Sequence, residues 1–248
     1  MDNEFKNKKI FISGGTNGIG YEIAKYFLEK KSKVYVLGRK NKFKNIKNLI
    51  VYEYDVLKKE ELEKLINKIK KINFGLVVHS LGGSLGVDDH SSLKKTGDVW
   101  LLNAAIPILL NEFFLKKMKL KKFGRIVHIS SASTVNLDGR SPYICSKSYL
   151  NSYIKQMSLK VSKSNILLNG ILPGAIIAHK NNLYNFIKKN KKNEKIFVKK
   201  YLKVKKIGTL NSMAPVLEFL LSRYNNYMLG ELIKIDGGET WVKWWKIL

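Results

Sequence analysis

A chain of 248 residues, 45% of them hydrophobic, can bury a full core as a single domain; its one cysteine, Cys145, excludes a disulfide framework or thiolate cluster, and its four histidines are too scattered for a helical ligand pair. No apolar run reaches the roughly 18 residues of a membrane span, and the start MDNEFKNKK is polar where a secretory signal is apolar, so a soluble, cytoplasmic protein without metal is expected. The formal charge of +27 invites a nucleic-acid reading, but only Arg39, Arg125, Arg140 and Arg223 are arginine, the type that base readout favours, so no specific nucleic-acid partner is expected.

The first apolar run, KIFIS, reads as a strand and leads into SGGTNGIG at residues 13–20, which opens the helical pattern YEIAKYFLEKK. Gly14, Gly18 and Gly20, with Thr16, Asn17 and Ile19 between them, let a backbone approach a pyrophosphate at a helix N-terminus. Tyr21 and Glu22 follow in place of the Lys and Ser or Thr of a P-loop. The second strand, KVYVLG, ends in Gly38 and Arg39 where an acidic residue would bind both ribose hydroxyls of NAD. A guanidinium suits a 2′-phosphate, and Lys40 adds charge, so the expected cofactor is NADP.

A third strand, LIVYEYDV, ends at Asp55 and Val56, and a helix, KEELEKLINKIKKI, connects it to a fourth, GLVVHSLG. Here GGSLG, residues 82–86, has the form of a hydrolase nucleophile elbow around Ser84. The polar stretch VDDHSSLKKTGD that follows is no packed helix, and no histidine comes after His179 to complete a late triad. The helix LLNAAIPILLNEFFLKKM carries Asn103; the strand GRIVHISS runs into SSAS at residues 130–133; and the helix YICSKSYLNSYIKQMSLKVSK carries Tyr143 and Lys147. Hydride transfer to a carbonyl needs a proton for the developing alkoxide, and a free phenol with a pKa near ~10 supplies it slowly. Lys147, one helical turn beyond Tyr143, lies on the same face and is expected to favour the phenolate.

After the strand ILLNGILPG, residues 178–206 interrupt the alternation with a lysine-rich excursion expected to form a lid; the helix SMAPVLEFLLSR and the strand ELIKIDGG close the order. Alternating strands and helices imply an α/β fold: a doubly wound, Rossmann-type parallel sheet of about seven strands, with helices on both faces and ligands beyond the strands' carboxyl ends.

These motifs, in this order, resemble the short-chain dehydrogenase/reductase family, in particular its β-ketoacyl-carrier-protein reductases. SGGTNGIG is similar to the family's TG-x3-G-x-G with Ser13 for Thr; residues 143–147 match its Y-x3-K; and NGILPG and GELIKIDGG match its cofactor segment and last strand. The resemblance implies that Tyr143 donates and accepts the proton, Ser131 binds the substrate carbonyl, Lys147 also holds the nicotinamide ribose, and Asn103 steadies a water; Ser130 and Ser133 stay open as alternatives to Ser131. It implies cofactor contacts at the glycine turn, Arg39, Asp55, Val56, Leu81, Gly82, Pro173, Gly174 and Ile176. Two departures stand out: HSLG at residues 79–82 replaces N-N-A-G, and Ala178 stands where the family has a nicotinamide-binding threonine. VHSLG is also similar to the enoyl-carrier-protein reductases, but neither Tyr143 nor Tyr149 has a lysine six residues on.

The expectation is therefore an NADP-dependent oxidoreductase acting on a carbonyl or secondary alcohol, small or carrier-linked; the alternative is a non-catalytic NADP-binding regulatory or nucleic-acid-associated protein on the same fold. Eleven lysines against Glu194 in residues 178–206 point to an anionic substrate, either a carrier-protein thioester or a phosphorylated or nucleotide-linked sugar. Apolar residues on the helices of Asn103 and Tyr143, including Ile106, Leu109, Phe113, Tyr149 and Tyr153, imply a homodimer or homotetramer, with Trp241, Trp244 and Trp245 packing on a neighbour or closing the pocket.

Overall fold

The computed structural model describes residues 3–241, so Trp244 and Trp245 lie outside the described residues. Seven strands form one sheet: β1 Lys9–Ser13, β2 Lys33–Gly38, β3 Leu49–Glu53, β4 Leu76–His79, β5 Gly124–Ile129, β6 Ile166–Pro173 and β7 Leu232–Ile235. All are parallel, in the order β3-β2-β1-β4-β5-β6-β7. Because side chains alternate along a strand, each short apolar run feeds two cores. Phe11 and Val77 turn to one layer with Leu110, Phe114 and Ile154, while Ile10, Ile12 and Val78 turn to the other with Ile23, Phe27 and Leu217. The first layer is built by α2 Lys59–Ile69, α4 Ile106–Lys121 and α6 Ser141–Val161, the second by α1 Gly18–Glu29 and α9 Leu210–Leu221. Strands β4, β5 and β6 are buried along their whole length, which is why their sequences are apolar without alternation.

A helix absent from the sequence reading, α3 Leu93–Trp100, occupies part of the polar stretch after β4. Ser92 starts it by accepting the Lys95 N–H at 3.4 Å, so a side-chain cap does what an apolar face does elsewhere; Leu93 is 89% exposed. Through a π-helical turn, Leu101–Ala105, α3 continues into α4. The joined segment Leu93–Lys121 is the one described helix long and apolar enough to cross a membrane, but half of its most apolar stretch is buried and Val99, Leu110 and Phe114 belong to the core. Ile106 is likewise core, leaving Leu109 and Tyr149 as the exposed members of the expected oligomer face. The excursion after β6 folds as two helices, α7 Asn182–Lys189 and α8 Lys191–Tyr201.

The site follows from the strand order. Chain direction across the sheet reverses at β1, which has β2 on one side and β4 on the other, and the crevice opens beyond their carboxyl ends.

Candidate active site

At the end of β1 the chain turns sharply, with Gly14 at φ +75° against the next strand: a Cβ there would sit 2.6 Å from the Ser80 carbonyl oxygen. No side chain caps α1 at Asn17 and no acid occupies its first turn, so the helix N-terminus presents its positive end to the crevice. A cleft of about 380 Å³ runs from there past Arg39, Asp55, Val56, Leu81 and Gly82 to Tyr143 and Lys147, with Gly14, Thr16, Asn17, Gly18 and Ile19 along its floor. Gly20 does not line it: it is packed on the Gly14 carbonyl, where a Cβ has no room, so its part is to let α1 approach the turn. Asp55 Oδ1 also accepts the Leu57 N–H at 3.2 Å, a turn-forming bond at the end of β3.

A second cleft, about 370 Å³, adjoins the first at Ile19, Ser130, Tyr143, Asn181 and Asn182. Pro173, Gly174 and Ile176 line this one and not the first. Ser131 and Ser133 are also on its wall, and their hydroxyls are 2.8 Å apart. Of these serines, Ser131 is the one whose hydroxyl acts on the Tyr143 phenol, lowering its pKa, while Ser130 Oγ is buried without a partner among the described residues.

Lys147 is buried and forms no ion pair among the described residues. Its Nζ donates to the Ile129 carbonyl at 2.9 Å and the Leu81 carbonyl at 3.3 Å, two strand-end oxygens that fix it beneath the crevice. Burial in this setting pulls its pKa down to about 7. Burial pushes the Tyr143 phenol up, against the lowering effect of the Ser131 hydroxyl. The sequence predicts the opposite direction for the phenol; desolvation wins because Nζ stands 6.0 Å from the centre of the ring and is itself driven toward neutrality.

Asn103 sits in the π turn, fully buried, and its amide is spent on backbone: Oδ1 accepts the Gly83 N–H at 3.0 Å, and Nδ2 donates to the Gly83 and Val99 carbonyls, each at 2.8 Å. It shapes the loop after β4, and a Cβ on Gly82 would lie 2.6 Å from its Oδ1 and 3.0 Å from Lys147 Nζ. Ser84 lies in that loop, bonded to the Gly86 N–H, with no helix until Leu93; this is not a nucleophile elbow.

The structure adds residues the motifs did not indicate. Lys180, Asn181 and Asn182 line the first cleft just after Ala178, and Asn181 caps α7 by accepting the Tyr184 N–H at 2.8 Å. An Asn before a helical run was the available signal. Glu239, past β7, reaches the second cleft; its position beyond a strand's carboxyl end was the only hint.

The profile of the short chain dehydrogenase family matches residues 8–185. The chain belongs to that family. Over 251 residues this short-chain dehydrogenase is 29% identical to the 3-oxoacyl-(acyl-carrier-protein) reductase FabG of Rickettsia typhi, covering 96% of this chain and 99% of the relative. Among solved structures it superposes on a 4-hydroxyisoleucine dehydrogenase complexed with NADH at a TM-score of 0.86 and 28% identity, covering 96% and 100% of the two chains. It also superposes on ElxO with NADP bound, at a TM-score of 0.81 and 26% identity, covering 94% and 98%. Membership makes the protein an oxidoreductase that uses a nicotinamide cofactor. Those neighbours divide between NADH and NADP, so the choice rests on this chain's own residues.

Proposed function

We propose that the protein is an NADP-preferring carbonyl reductase or secondary-alcohol dehydrogenase in which Tyr143 exchanges the proton. The reading is carried by one observation: Tyr143, on the same cleft wall as Ser131 and one turn from buried Lys147, stands where the two clefts meet. The residues present fit a dinucleotide, since the uncapped end of α1 would hold its pyrophosphate and Ser130 Oγ, buried with no partner among the described residues, would be free to bond it. Bound there, the cofactor supplies or takes the hydride. Ser131 holds the substrate oxygen beside the Tyr143 hydroxyl, Tyr143 transfers its proton to that oxygen, and Lys147, with a pKa near neutrality, replaces the proton readily. Asn103 keeps the loop over Lys147 in place.

Arg39 at the end of β2 favours NADP, since its fork can grip a 2′-phosphate bidentately. A cytoplasmic location goes with this reading. Of the lid lysines, only Lys180 lines a cleft among the described residues, and it lines the cofactor side; the rest can draw an anionic carrier to the rim, but a phosphate inside the substrate cleft would meet no cation. A non-catalytic NADP-binding protein would have no use for the Ser131–Tyr143–Lys147 arrangement. The deciding experiment follows NADPH oxidation with a panel of ketones: Tyr143→Phe is expected to abolish turnover while NADPH affinity, read by its fluorescence, stays within a few-fold. Retention of more than a tenth of the activity would overturn the assignment, and binding without any turnover in the unaltered protein would favour the non-catalytic alternative.

A further inference from the structure

The excursion after β6 concentrates charge beyond the bias of the whole chain: eleven of the 29 residues 178–206 are lysine and one, Glu194, is acidic, against 42 lysines in 248 residues overall. None of the four arginines falls there. Folding sets these lysines in a pattern. On α8, Lys192, Lys195, Ile196, Lys199 and Lys200 recur at the spacing of one helix face and all are exposed, while Phe197, Val198 and Tyr201 on the other side are half-buried. On α7, Asn185, Phe186 and Lys189 stand exposed, with Ile187 buried behind them. The Asn193 amide donates to the Phe186 carbonyl at 3.2 Å and ties the two helices together.

Two large apolar side chains stand in water among these charges: Ile196, 63% exposed in the middle of the α8 stripe, and Phe186, 47% exposed on α7. Leaving them in water gains nothing, and the lysines around Ile196 repel one another. An anionic bilayer surface answers both. Its headgroups neutralise the lysines, whose stems lie along the apolar boundary while the ammonium groups stay at the phosphates, and that boundary takes in the two apolar side chains. A nucleic acid would neutralise the lysines but leave Phe186 and Ile196 in water, and its phosphates are gripped best by arginine, which residues 178–206 lack.

We infer that the exposed face of α7 and α8 docks on anionic lipid bilayers, with Lys192, Lys195, Lys199 and Lys200 at the headgroups and Phe186 and Ile196 inserted between them. Docking of this kind does not depend on which reaction the site performs. It does set that site beside lipid, because Leu183 and Phe197 of the same two helices line the second cleft.

Co-sedimentation of the full chain with vesicles tests it. Vesicles of phosphatidylcholine with about one-third phosphatidylserine should be bound about tenfold or more tightly than vesicles of phosphatidylcholine alone, and raising the salt from about 0.05 M to about 0.5 M should weaken that binding several-fold. Lys192→Gln, Lys195→Gln, Lys199→Gln and Lys200→Gln combined should remove the preference for anionic vesicles, and Phe186→Ser with Ile196→Ser should weaken binding about tenfold at constant charge. All six positions are exposed, so both variants should keep the Tm of the unaltered protein within a few degrees. Equal binding to the two kinds of vesicle, or anionic-vesicle binding that either folded variant leaves unchanged, would overturn the inference. So would polyuridylate or polyglutamate bound as tightly as anionic vesicles at matched charge: the first would make the surface a nucleic-acid site, the second a site for an acidic protein. Should a variant lose its fold, the vesicle, polymer and salt comparisons on the unaltered chain still decide.

Discussion

Lys147 carries the largest electrostatic strain in the site, because an amine with an ordinary pKa of 10.5 is held at about 7 by burial. Between those two values the unfolded chain retains a proton that the folded protein has released, so this group's share of stability rises with pH through the window and is lost as pH falls through about 7. Lys147→Met should therefore flatten the dependence of Tm on pH between pH 7 and 9 relative to the unaltered protein, measured by calorimetry in matched buffers. An unchanged slope would mean that the buried amine keeps its proton. At the far end of the cleft, Arg39→Ala should raise the apparent KM for NADPH about tenfold, the loss of one charge-assisted contact, and leave that for NADH nearly unchanged. Equal effects on both would make Arg39 a structural residue. These side chains were legible in the sequence because their evidence is local: Tyr143 and Lys147 are one helical turn apart, and Arg39 stands where a strand ends. The direction of the phenol's shift was not, since it depends on desolvation by residues far away in the chain. Glu239 was invisible for the same reason: only folding brings it 2.8 Å from the Ala175 N–H.

At the scale of elements, β5, β6 and α9 are pinned together at their far end by one side chain. Arg125 is 2% exposed and has no carboxylate partner among the described residues; its guanidinium donates instead to the carbonyls of Ser222, Gly124 and Asn165 and to Asn165 Oδ1. It also lies over the Phe123 ring, 4.7 Å from the centroid. Arg125→Ala leaves several buried acceptors unsatisfied and is expected to cost about 3 kcal/mol by urea unfolding, with no change in the midpoint's dependence on NADPH. A cost below ~1 kcal/mol would show that water replaces the guanidinium. Elements with an apolar signature were all legible, since strands such as β5 and β6 must be apolar to be buried on both faces. Helix α3 was not, because it is polar, mostly exposed and secured by the Ser92 cap.

For the whole molecule, the question is what covers the exposed apolar side chains of α3, α4 and α6. Trp100, Leu109, Tyr149 and Leu159 are exposed there, and the Trp100 and Tyr149 rings meet edge to face at 6.0 Å. Light scattering at micromolar concentration should find a dimer or tetramer, and Tyr149→Lys should shift it toward the monomer; a monomeric unaltered protein would leave this apolar surface to another purpose. The parallel, doubly wound sheet of about seven strands was readable from the alternation of runs alone, because strand–helix–strand units imply parallel pairing through right-handed crossovers; which strand neighbours which was not. The place of the lysine-rich excursion was readable too, but not its attachment. The Gly18 N–H donates to the His179 carbonyl at 2.9 Å, and the His179 ring stacks on Tyr21 at 4.3 Å, so the strap that leads to the second cleft is fastened directly to the glycine turn after β1. Whatever coupling such a strap transmits must be reciprocal: by the factor that a bound dinucleotide would change the affinity for substrate, substrate would change the affinity for dinucleotide.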